Sequence, residues 1–329
     1  MGNPAGISAW ARVAGGAVLS LLSFSVGCSN QPGEVWFTPN LGSRDMLALF
    51  TQPKRWPEAH GHLTVFKFYE SQILASHPGD CPLCGDNRQP NLVQVDAYRR
   101  LRFSRILTAI EVGAVKPWGC TAATTAPFTV QAIDNVIAAG GRVSYLAMDE
   151  PLASAHVCGE TANDAAAQVG DFVRRVHSAH ADVAVGDIEP YPLFSVADIE
   201  TWLDAAQAQG AGLTFFHLDA DRALATRLKN DIAGDLSQLN AFCHQRALSF
   251  GVIFVGADAS SDRAYYDDTL ALVDTVASAI GRPDHFIFQS WTASPDGSLS
   301  LPINLPENDP AIFSHTRLIL DGLQRFPQQ

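Results

Sequence analysis

The chain is short of positive charge. Lys and Arg total 22 against 34 Asp and Glu in 329 residues, a net charge of -12. It has no basic run and no Arg-rich face, and a polyanion needs one, so nucleic acid is not an expected partner. A Gly-x-Gly-x-x-Gly run is missing, which argues against a doubly wound sheet that cradles a dinucleotide phosphate. The Gly-x-Ser-x-Gly turn that raises a serine nucleophile is missing too. No linker divides the chain, and nothing repeats except a β–α unit. Cysteine is sparse, at six. One Cys-x-x-Cys occurs without a second to complete a zinc site.

What is present begins with an apolar stretch, 13–26, preceded by Arg12 and ending Ser25-Val26-Gly27-Cys28. Its length suits the core of a signal peptide and is short for a membrane span. A small residue before Cys resembles a bacterial lipoprotein cleavage site. The expectation is therefore a signal peptide over 1–28, lipidation of Cys28, a polar tether over 29–33 and a catalytic domain over 34–329. The protein would be exported as a periplasmic or cell-surface lipoprotein, held at the membrane by its lipid. An oxidising compartment favours disulfides. Cys81 and Cys84, in a loop rich in Pro, Gly and Asp, are expected to pair locally. Cys120 and Cys158 fall in successive loops of one face and could also pair. Cys243 reads as a buried thiol.

From Glu34 onward short apolar runs alternate with amphipathic segments. Strands are predicted at 35–40, 63–69, 106–112, 143–149, 183–188, 213–218, 250–255 and 285–290. Helices are predicted at 96–105, 130–139, 165–179, 196–208, 236–248, 265–280 and 312–323, with Ser195 and Asp235 as N-caps. Gly140, Gly210 and Gly281 stop helices. Such a β–α series fits a single (β/α)8 TIM barrel, whose strands build one pocket at their carboxyl ends.

Those ends are polar in every case. In order they offer Asn40, Lys67 with Tyr69, Glu111, Asp149 with Glu150, Asp187 with Glu189, Asp219 with Asp221, Asp258, and Gln289 with Trp291. A carboxylate just beyond an apolar run adds little to packing, and helix caps account for only one or two of them. Carboxyls crowded together push one pKa upward, which yields the acid that glycoside cleavage requires beside an ionised partner. Trp291, Trp118, Tyr69 and Tyr191 offer flat faces for sugar rings. The expected function is glycoside hydrolysis of an oligo- or polysaccharide without metal or cofactor.

Asp149-Glu150-Pro151 after the fourth strand resembles the Asn-Glu-Pro signature of the large retaining glycosidase clan. The resemblance implies that Glu150 is the acid/base, and that an aromatic after the eighth strand, here Trp291, contacts the sugar. The clan's nucleophile is a Glu ending the seventh strand, where this chain has Gly256-Ala257-Asp258. Glu189 is therefore expected to be the second catalytic carboxylate, with Asp149, Asp187, Asp219, Asp258 and Glu111 as supporting or alternative groups. Two other readings stay open. One is a metal-dependent barrel hydrolase or isomerase using His217, Asp219 and Glu189; the other is a sugar-binding lipoprotein without catalysis.

Overall fold

Short runs of Val, Ile and Phe, buried on both faces, suit strands that carry helices outside and a filled barrel inside. The computed structural model describes residues 33–79 and 81–327. The signal segment, Cys28 and all of the tether but Gly33 lie outside them. The strands are β1 (Glu34–Thr38), β2 (Val65–Tyr69), β3 (Leu107–Val112), β4 (Val143–Asp149), β5 (Ala184–Tyr191), β6 (Phe215–Ala220), β7 (Ser249–Phe254) and β8 (His285–Gln289). All pair in parallel, each with the next, and β1 closes on β8. The architecture is the (β/α)8 barrel expected from the alternation of runs.

The interior is filled by one inward residue from each strand: Trp36, Val65, Ala109, Ala147, Ile188, Phe215, Ile253 and Ile287. Large rings here need small neighbours. A Cβ on Gly186 would lie 2.2 Å from the Phe215 ring, so that position has no room for a side chain. Toward the amino end of the barrel, Glu34 accepts from Tyr145 Oη (2.9 Å) and Trp36 Nε1 (3.0 Å). At the same end His285, which pairs in register with Glu34, shares a 2.8 Å hydrogen bond with His217.

Several boundaries differ from expectation. The predicted helix at 130–139 begins earlier and runs Ala122–Ala138, through Pro127. Proline removes one helical donor and so ends a pattern read from sequence, yet this helix tolerates it near its first turns. Asp235 does not cap its helix; Asp231 does, accepting from Gly234 N at 3.1 Å. Ser195 caps as predicted, in a reciprocal pair with Asp198. The short helix Pro151–Cys158 shows no periodic signal and was not expected.

The consequential difference is in β5. It was expected to end at Ile188, but it continues through Glu189 and Pro190 to Tyr191. Side chains alternate along a strand. With Gly186 and Ile188 inward, Asp187, Glu189 and Tyr191 point out of the barrel, toward the helices.

Candidate active site

A cavity of about 360 Å³ opens at the carboxyl end of the barrel. Ile188 and Ile253 are apolar members of its lining, and Tyr69, Gln289 and Trp291 form other parts of its wall. Four carboxyls reach it: Glu111 from β3, Asp149 from β4, Glu150 just after β4, and Asp219 from β6.

Each sits in a different electrostatic setting. Lys67, fully buried, contacts Glu111 and places its Nζ 2.6 Å from Gln289 Oε1. Gln289 Nε2 in turn donates to Glu111 (2.8 Å) and to the Tyr69 hydroxyl (3.1 Å). Asp149 pairs with Lys116 Nζ at 2.6 Å. Among the described residues, Glu150 and Asp219 have no such cation in contact. Burial, reinforced by Asp149 and Glu111 and opposed by Lys116, raises Glu150 from 4.5 to about 7. Burial also lifts Asp219 well above the carboxylate range, with Glu150, Glu111 and Asp149 adding to it. Among the described residues no hydrogen-bond donor reaches the Asp219 carboxyl.

Glu150 is also unusual in its backbone. It lies at φ 52°, ψ 54°, the left-handed region that non-glycine residues seldom adopt. Its N–H donates to Ile188 O at 3.0 Å, and Pro151 follows as the first residue of the helix it opens. Strain of this kind collects at functional sites because surrounding contacts must enforce it.

Glu189 does not join the ring, contrary to expectation. Its carboxyl accepts from Leu152 N (2.7 Å) and Ala153 N (3.3 Å), capping the helix Pro151–Cys158 from the outer face of β5. Asp187, likewise outward, accepts from Trp202 Nε1 at 2.7 Å, and burial raises it to about 8. Asp258 is exposed in the loop after β7, where Ser260 holds it low, and it does not line the cavity. Asn40 is buried and spans a loop, donating to Thr292 O at 2.7 Å and accepting from Gly42 N at 3.0 Å. Lys67 is fully buried, contacts Glu111 and Gln289, and does not line the cavity. Asp221 caps the helix Arg222–Leu228 through Leu224 N at 2.7 Å.

The aromatics divide. Trp291 is 43 % exposed at the rim, and Tyr69 lines the wall. Trp118 borders a side space, packed against His77 with ring centroids 4.8 Å apart. Tyr191 is buried, with its hydroxyl on Asp235. The residue missed in the sequence is Lys116. A cation in the loop that follows β3, next to Trp118, was the available signal.

The metal alternative required His217, Asp219 and Glu189 together. Glu189 faces the opposite side of the barrel wall and His217 is bonded to His285. Among the described residues no three His, Cys, Asp or Glu side chains gather in a form that could hold a metal ion.

Both expected disulfides form, Cys81–Cys84 and Cys120–Cys158, with Cα separations of 5.3 and 5.7 Å. Cys243 is a buried free thiol.

No protein-family model matches this sequence, and no curated protein matches it. Solved structures do resemble it. Active domain 2 of a chitinase from Pyrococcus furiosus is 17 % identical over 91 % of this chain and 97 % of its own, with a TM-score of 0.53. A fungal β-1,4-galactanase is 11 % identical over 88 % of this chain and 99 % of its own, at 0.55. A glucosidase from Croceicoccus marinus is 14 % identical over 89 % and 67 %, at 0.50. Enzymes that cleave glycosides are thus among the structures similar to this chain, and at these identities what they share with it is the barrel fold.

Proposed function

We propose that the protein is a glycoside hydrolase in which Glu150 is the proton donor and Asp219 the second catalytic carboxylate. The observation that carries this reading is the pairing, in one cavity, of two crowded carboxyls without contacting cations and two carboxylates held by lysines. A carboxyl raised to about 7 keeps its proton near neutrality and can give it to a leaving glycosidic oxygen. Asp149 stands beside it, paired with Lys116, and helps hold that proton in place. Asp219 stands two strands further round the barrel. Its proton, which burial favours, must leave first; ionised, it attacks the anomeric carbon to form a glycosyl ester that water, deprotonated by Glu150, then hydrolyses, or it takes a proton from the water that attacks directly. Either route leaves the leaving group protonated and water added across the broken bond. Glu111, fixed by Lys67 and Gln289, and the faces of Tyr69 and Trp291 are proposed to orient the sugar.

The barrel likeness to a chitinase and a β-1,4-galactanase suggests the first substrates to try: chitin, β-1,4-galactan and their oligomers. Wild type should release reducing ends from one of these. Glu150→Gln and Asp219→Asn should each keep the fold and lose several orders of magnitude in turnover. Near-normal rates in Glu150→Gln would sink the assignment.

We also propose that the chain is exported and lipidated at Cys28, on the strength of its amino-terminal sequence and the two disulfides. Fractionation of cells expressing wild type and Cys28→Ala tests this. Wild type should follow the membrane and the variant should not. Both in the cytosol with free thiols would refute it.

A further inference from the structure

We infer that the site holds a saccharide chain laid across the carboxyls, with rings bound on both sides of the scissile bond, so that cleavage is internal. The inference rests on the glycosidase reading above.

The central cavity is not a dead end. A side space of about 160 Å³ shares Tyr69, Glu111 and Asp149 with it and extends to Trp118. A second space, of about 480 Å³, shares Asp219 and Trp291 with it and extends past Pro192 and Asp221. The first lies over the ends of β2 to β4, the second over β5 to β8. In a closed ring of eight, β3 and β7 stand four strands apart, across the axis from each other. The two spaces therefore abut the centre from opposite sides, and Glu150 and Asp219 fall in the middle of a row of three.

A site that trims chain ends must close off one side of the scissile bond. Among the described residues, both flanks share lining residues with the central cavity. The central cavity alone is at the low end of the roughly 300–1,000 Å³ that single ligands occupy, and the second space is the larger of the two. Each flank also carries an indole, Trp118 on one side and Trp291 on the other. A sugar ring buries its apolar face against such a surface, and successive rings along a chain would meet them in turn.

The test uses the full chain and the ladders of chito- and galacto-oligomers, from the dimer upward. Affinity of Glu150→Gln should climb stepwise with length for one ladder, because each added ring fills another part of the row. In wild type the first products from a long oligomer should be internal fragments. Trp118→Ala should raise KM for long oligomers by roughly tenfold while leaving that of the shortest cleaved oligomer nearly unchanged. Affinity that stops rising after the first rings, or release of only one short product from the earliest turnovers, overturns the inference even if the enzyme is a glycosidase. An inactive wild type whose Glu150→Gln form still binds by length would refute the catalytic reading and support the cleft. Neither ladder binding at any length would overturn both.

Discussion

Glu150 has its chemistry from position, not from type. It was legible in the sequence because a strand run ends just before it and Pro151 just after it. Its pKa near 7 sets two measurable behaviours. In the proposed role of donor it must be protonated, so kcat/KM should fall as pH rises through about 7, and that limb should disappear with the residue. Stability follows the same titration. The folded-state value is raised from 4.5, so the protonated carboxyl contributes stability that is fully present below about 4.5 and lost as pH rises through about 7. Glu150→Gln, which stays neutral, should gain on wild type by roughly 1–3 kcal/mol between those limits, read as a Tm difference that opens with pH. A difference constant across pH 4 to 8 would mean the carboxyl is not held at a raised pKa. Asp219 was equally visible as a strand-end residue. What was not visible is that no cation among the described residues pairs with it, because pairing by Lys116 and Lys67 depends on how loops fold over strands distant in sequence.

At the scale of the element, β5 decides which carboxyls reach the pocket. Its side chains alternate, so with Ile188 inward Glu189 must face the helices, a parity that a list of strand-end residues does not reveal. The sequence shows an apolar run to Ile188 and then Glu-Pro, which reads as a strand end like that of β4. The strand in fact continues to Tyr191, because Glu189 finds acceptor work at the start of the helix Pro151–Cys158. Buried first-turn N–H groups need such a partner. Glu189→Gln keeps an acceptor and should retain activity within about tenfold, far short of the loss expected at a catalytic carboxylate. Glu189→Ala should lower stability by about 1–3 kcal/mol in a denaturant titration, with no azide rescue of turnover. If azide restores cleavage to that variant, Glu189 is the nucleophile after all.

The whole molecule was the most legible part, since eight apolar runs separated by helical stretches leave few closed arrangements. Covalent ties act at this scale too. Cys120 and Cys158 are 38 residues apart in sequence and Cys81 and Cys84 are 3 apart. Closing the longer loop restrains the unfolded chain more, contributing about 3–4 kcal/mol on chain entropy against about 1–2 for the shorter. Cys158→Ser should therefore lower the unfolding free energy by an amount of that order, and Cys84→Ser by clearly less. Equal losses would argue against a chain-entropy origin.

That longer bridge also joins the loop carrying Lys116 to the final residue of the helix that Glu150 opens. The acid and the cation that tempers its neighbour are thus sewn together by sulfur. How the protein is manufactured then matters to what it can do. Material made in a reducing host can show an ordinary far-ultraviolet spectrum and still lack the proposed activity, and air oxidation after purification would then be part of preparing the protein.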